Sequence, residues 1–159
     1  MSAPETLTVW RLCSRKFAAS AFSGEGARLY GGRWSPPGIA AVYCSESRAL
    51  AALEVLAHIE DTADFAAIPW VARSIDLPVA EIEKPSRVPA SWRQFPYIAA
   101  TQRFGDDWLR TARAVALRLP SAIIPGEFNY LLNPAHPSFP KLRIGKPSPF
   151  RFDPRLKGK

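Results

Sequence analysis

A chain of 159 residues is the usual size of one domain and can bury a core of its own. Its 47% hydrophobic and 22% charged residues exclude a disordered chain, and no apolar run reaches the roughly 18–20 residues needed to cross a bilayer. The net charge of +7 sits at one end, because residues 141–159 hold seven Lys or Arg against Asp153 while residues 1–140 balance 14 basic against 13 acidic side chains, so a nucleic-acid-binding face spread over the body is disfavoured.

The first six residues lack the basic-then-apolar layout of a signal peptide, which points to a cytoplasmic protein. Residues 7–12 read as a first strand. Residues 24–38 carry five glycines and two prolines and read as a loop that brings backbone close to something. A short apolar strand follows over 39–44, and Ser45 or Ser47 can cap a helix running to about Ile59. Alternation predicts a strand over 70–77. Two short helices are expected over 97–103 and 106–112, broken at Gly105, with Asp106 and Asp107 at the second start. Residues 115–119, 122–124, 128–132, 141–144 and 149–152 are strand candidates. Sixteen prolines favour short strands joined by stiff turns. The expected fold is α+β, one compact domain over 1–159 with mixed or antiparallel strands and few helices. The basic segment 141–159 belongs to it, either meeting a phosphate-bearing or acidic partner or simply solvated. Cys13 and Cys44 show no CxxC spacing and read as reduced structural thiols.

The chemistry is carried between Gly31 and His58. Gly31-Gly32-Arg33-Trp34 presents a guanidinium from a turn beside a large ring, and arginine's planar fork suits phosphate. A surface arginine stacked on Trp34 would read identically. Tyr43 is either core or a ring to stack on a planar ligand. Eight of the nine residues 49–57 are apolar and Glu54 is the exception. Helical spacing places Ser47, Glu54, His58 and Asp61 on one side, either a solvent stripe or the wall of a cleft. In a cleft, Glu54 can accept a hydrogen bond or stabilise a developing positive charge. Ser121 reads as a hydrogen-bonding turn serine rather than a nucleophile, and Asn129 and Asn133 as turn and loop fasteners. Gly24-Glu25-Gly26 begins like a dinucleotide fingerprint but lacks its third glycine and a βαβ setting. No Walker, HExxH or GxSxG motif occurs, and two histidines, His58 and His136, do not suggest a metal site.

Together these residues resemble the RES-domain toxins of RES–Xre toxin–antitoxin pairs, named for an arginine, a glutamate and a serine. Their GRWN-like turn matches Arg33, the glutamate of the following helix matches Glu54, the strand tyrosine matches Tyr43, and the serine of a PSAI-like segment matches Ser121. The similarity continues through Gly105-Asp106-Asp107-Trp108-Leu109, Glu127-Phe128-Asn129-Tyr130-Leu131-Leu132-Asn133-Pro134 and Phe152-Asp153-Pro154-Arg155-Leu156. It departs at Ser35, where asparagine is common. The resemblance implies a fold like the diphtheria-toxin-type ADP-ribosyltransferases and consumption of NAD as substrate, with no other cofactor. It implies that Glu54 stabilises the ribosyl cation, and that Arg33, with Arg11 or Arg28, neutralises the pyrophosphate. Tyr43 then packs at the nicotinamide end, Ser121 orients ribose or phosphate, and His58 lines the same cleft. Phosphate or water is the implied acceptor, with a protein side chain, as in mono-ADP-ribosyltransferases, as the alternative. The implied partner is a helix-turn-helix Xre antitoxin that binds DNA itself, so no direct DNA binding and no membrane association are expected. A non-catalytic nucleotide- or nucleic-acid-binding module is the third reading.

Overall fold

A computed structural model describes residues 2–60, 65 and 67–156; Asp61, expected on the Glu54 side of its helix, lies outside them. The strands β1 (Thr6–Ser14), β2 (Val42–Ser45), β3 (Trp70–Pro78), β4 (Ile82–Glu83), β5 (Ala116–Pro120), β6 (Phe128–Leu132), β7 (Arg143–Ile144) and β8 (Ser148–Phe150) form one sheet. Its order is β4-β5-β6-β2-β1-β3-β7, with β8 also pairing β3. Only β4–β5 is parallel. With the helices α1 (Glu25–Tyr30), α2 (Arg48–His58) and α3 (Ala99–Thr111), this is the mixed α+β domain expected from the sequence.

Period-two alternation gives the sheet a core on both faces. Val42, Cys44, Tyr130 and Leu132 bury on one side with Val9, Ile75 and Leu77. Leu131 points the other way and packs with Leu117, Leu119 and the α3 residues Trp108 and Leu109. At the β1–β3 end, Ala51 and Ala52 of α2 meet Leu12, Ala72, Phe65 and Phe152. Each leucine buried this completely contributes about 1.5–3 kcal/mol. β1 pairs with β3 along its whole length but meets β2 at a single register pair, Trp10↔Ser45. The sheet therefore opens beside that pair, and a deep cleft lined by Trp10 and Ser45 lies there.

Four local expectations change. The glycine-rich stretch 24–38 contains α1: the Ser23 hydroxyl accepts from Glu25 N, and Glu25 pairs with Arg28 one turn on, so local hydrogen bonding outweighs the glycines. α3 is one continuous helix with Asp106 and Asp107 inside it. Gly105 is there for contact, since a Cβ would lie 1.5 Å from the Trp34 carbonyl oxygen. Residues 122–124 form a turn instead of a strand, because the Ser121 hydroxyl accepts from both Ile123 N and Ile124 N. The strand expected over 39–44 begins only at Val42, and β4 is an addition. α2 follows expectation, with the Ser47 side chain capping it through Leu50 N.

Candidate active site

The cleft has a volume of about 730 Å³, within the range usual for small-molecule sites. One wall is α2. Leu50, Ala51 and Ala52 face the core, which turns Glu54, Val55 and His58 toward the cleft. Glu54 is thus on a cleft wall and only partly exposed, so the solvent-stripe alternative does not hold.

Glu54 is anchored through one oxygen. Its Oε1 accepts from Asn129 Nδ2 at 2.6 Å and from the Ser121 hydroxyl at 3.1 Å. Oε2 has no hydrogen-bond partner among the described residues. Ser121 is 1% exposed, and its oxygen also receives the two turn N–H groups. Its hydroxyl is therefore engaged on the protein side of the carboxylate, away from the open cleft. Asn129 sits in β6 rather than in a turn, and its Oδ1 accepts from Ser45 at 2.7 Å. Asn133 does fasten a loop, donating to the Leu109 carbonyl and accepting from Ala135 N.

Arg33 lines the same cleft from the turn after α1. Its Nη1 donates to the Trp92 and Gln94 carbonyls at 2.7 and 2.8 Å, and its guanidinium lies 5.0 Å from the Tyr97 ring centroid. No ion pair joins it to Glu54 among the described residues. Tyr43 fastens this turn from β2. Its oxygen accepts from Trp34 N at 3.1 Å and shares a 2.7 Å hydrogen bond with Ser35. Gly32 makes room, since a Cβ there would lie 2.7 Å from that oxygen. Burial pushes the Tyr43 phenol up to about 12 against those hydrogen bonds, and the residue lines the cleft.

Arg11 bridges the opening between β1 and β2, donating Nη1 to the Tyr43 carbonyl at 3.0 Å. Its Nε is buried with no hydrogen-bond partner among the described residues, and the residue lines the cleft. Arg28 does not line it; that side chain is exposed and paired with Glu25. His58 Nδ1 lies 2.6 Å from the Glu54 carbonyl oxygen, which can only accept. Nδ1 is therefore the donor in that contact, and Nε2 shares a 2.9 Å hydrogen bond with the Tyr97 hydroxyl. Burial raises the Tyr97 phenol above its ordinary value, with Arg33 opposing and Glu54 adding.

Of the polar cleft residues, Asn129 is expected from sequence only as a turn fastener, and Tyr97 and Arg93 are not marked as site residues. Asn129 carried the same signal as Glu54, a lone polar side chain in an apolar run. Tyr97 and Arg93 lie in an irregular stretch with no periodicity to mark a buried face. Among the charged lining residues, three arginines (11, 33 and 93) face one glutamate, an excess of positive charge suited to an anionic ligand. Among the described residues, no three His, Cys, Asp or Glu side chains gather to hold a metal, and no helix is long and apolar enough to cross a membrane.

Comparison with known proteins gives a consistent result. The RES domain family model matches residues 8–153. A protein named Toxin Res from Yersinia enterocolitica is 38% identical over 152 residues, covering 95% of this chain and 100% of that protein. The Prs ADP-ribosylating toxin of a Sphingobium strain is 34% identical over 160 residues, covering 95% and 97%. The crystal structure of the M. tuberculosis MbcT–MbcA toxin–antitoxin complex contains a similar fold, with a TM-score of 0.73 at 18% identity, over 93% of this chain and 86% of that one.

Proposed function

The chain belongs to the RES-domain family, and from that premise we propose that it is the toxin of a toxin–antitoxin pair and cleaves NAD between nicotinamide and ribose. The observation that carries the reading is Glu54, anchored by Asn129 and Ser121 through one oxygen and open through the other, in a cleft whose other charged lining groups are arginines. In this reaction the ribose C1–nitrogen bond breaks, and its electron pair leaves with neutral nicotinamide. The ribosyl group passes through an oxocarbenium-like state that a fixed carboxylate stabilises. A phosphate or water oxygen then bonds to C1 and loses its proton to solvent.

Arg11, whose buried Nε has no partner among the described residues, and Arg33, through the part of its fork not spent on carbonyls, neutralise the diphosphate. The Tyr43 ring packs at the nicotinamide end. Ser121 orients Glu54 rather than touching ribose, and His58 holds Tyr97 at the cleft wall. A second reading, transfer of ADP-ribose to a protein, is favoured by the relative named an ADP-ribosylating toxin. A cognate antitoxin of the Xre type, occupying the cleft, is the proposed partner, in line with the similar fold found in a toxin–antitoxin complex.

Incubation of the purified protein with NAD, with and without phosphate, followed by mass spectrometry, tests the proposal. ADP-ribose in water and its phosphorylated form in phosphate are expected. Glu54→Ala should lose at least about 100-fold in rate, as removal of a transition-state electrostatic group does. Unchanged NAD with a labelled protein would replace the first reading by the second.

A further inference from the structure

We propose that Asn129 is the positioning residue that aims Glu54, with Ser45 behind it deciding which end of the amide faces the carboxylate; this rests on the role of Glu54 proposed above. Asn129 Nδ2 lies 2.6 Å from Glu54 Oε1, and Ser45 donates to Asn129 Oδ1 at 2.7 Å. Oδ1 can only accept, so the Ser45 proton and the Glu54 carboxylate demand the same amide orientation. The reverse orientation would place a carbonyl oxygen against a carboxylate.

The placement of these groups favours precision. Ser45 and Asn129 are register partners across β2 and β6, and Ser45 is also the residue opposite Trp10 in β1. Asn129 therefore stands where three strands lie side by side, with Ser45 only 4% exposed. Ser121 approaches the same Oε1 from a separate turn, itself held by two N–H groups. A carboxylate held by one donor can still swing about that contact. Two donors from independent elements, meeting at one oxygen, leave Oε2 a single direction. Such a supporting shell turns a carboxylate on a helix into an aimed one.

Purified Asn129→Ala, Asn129→Asp and Ser45→Ala proteins test this by kcat and KM for NAD, thermal melting, and a crystal structure of Asn129→Ala. Asn129→Asp keeps the side-chain volume but turns an oxygen in place of the donor toward Glu54 Oε1, so wild-type turnover in it is incompatible with a positioning hydrogen bond. Both Asn129 variants should lose about 10- to 100-fold in kcat with KM within about threefold, the size expected for a hydrogen bond to a charged group. Ser45→Ala should lose less, about 3- to 10-fold, at unchanged KM. In a Glu54→Gln background, Asn129→Ala should leave NAD affinity unaltered. Wild-type kcat in Asn129→Asp, or a loss that lies in KM or in that affinity, would overturn the proposal and make Asn129 either filler or a substrate contact. Wild-type kcat in Ser45→Ala would remove Ser45 from it. Should the wild-type protein leave NAD untouched, the substrate reading fails. The crystal structure still decides the positioning claim: Glu54 unmoved in Asn129→Ala refutes it, and a displaced carboxylate sustains it.

Discussion

The Tyr43 hydroxyl is bound twice within the turn that carries Arg33, so a strand tyrosine holds that turn in place. Removing it leaves the Trp34 N–H and the Ser35 hydroxyl without that partner in a largely closed space. Tyr43→Phe is therefore expected to lose about 1–3 kcal/mol of stability, read from the denaturant midpoint. The same group sets an alkaline limit. Its folded value near 12 lies above the ordinary 10, so its contribution is whole below pH 10 and is lost as pH rises through 12. Cys44, raised by burial from 9 to about 12, acts in the same direction. Denaturant midpoints should fall between about pH 9 and 12, and by less in Tyr43→Phe; a flat profile across that window would contradict the assignment. Glu54 shows how far a single residue can be read. Its isolation in an apolar helix was visible, but its donors Ser121 and Asn129 lie 67 and 75 residues away, beyond any local pattern.

Helix α2 was legible as an element, because its cap and its apolar face are both written within a dozen residues. Helix α3 was not, because a glycine in mid-helix looks like a break. There Gly105 admits the Trp34 carbonyl, and with it the turn that leads from Arg33. An exposed helical glycine usually gains up to about 1 kcal/mol on substitution by alanine. At Gly105 the sign should reverse: a methyl group 1.5 Å from a carbonyl oxygen forces the helix and turn apart. Gly105→Ala is expected to lose about 3 kcal/mol and to weaken NAD turnover together with stability, measured by calorimetry and a rate assay on the same sample. Gly26→Ala, which meets nothing within 4 Å, is the control and should cost nothing.

At the scale of the molecule, the C-terminal segment divides by side chain. Its backbone completes the sheet as β7 and β8 on β3, and Phe152 is buried against Phe65 and Trp70. Its basic side chains Lys141, Arg143, Lys146 and Arg151 stay exposed. Phe152→Ala should therefore lose about 3–5 kcal/mol, whereas Lys146→Gln with Arg151→Gln should leave the melting temperature and NAD turnover nearly unchanged. A loss of turnover in that charge variant would assign the segment to ligand binding after all. Composition, period-two alternation and, for helix α2, its cap and apolar face by themselves determined the α+β class, most strands and that helix, since those depend on neighbours within a few residues. An ordered set of short motifs determined the family in the same way. Only the tertiary structure decided that Glu54 faces a cleft and that Ser121 serves it from behind. It alone decided that Asn129 belongs with them and that Gly105 sits inside a helix. Each of those is a choice of partner between segments far apart in the chain, set by how the sheet opens beside Trp10 and Ser45, and no local propensity encodes that geometry.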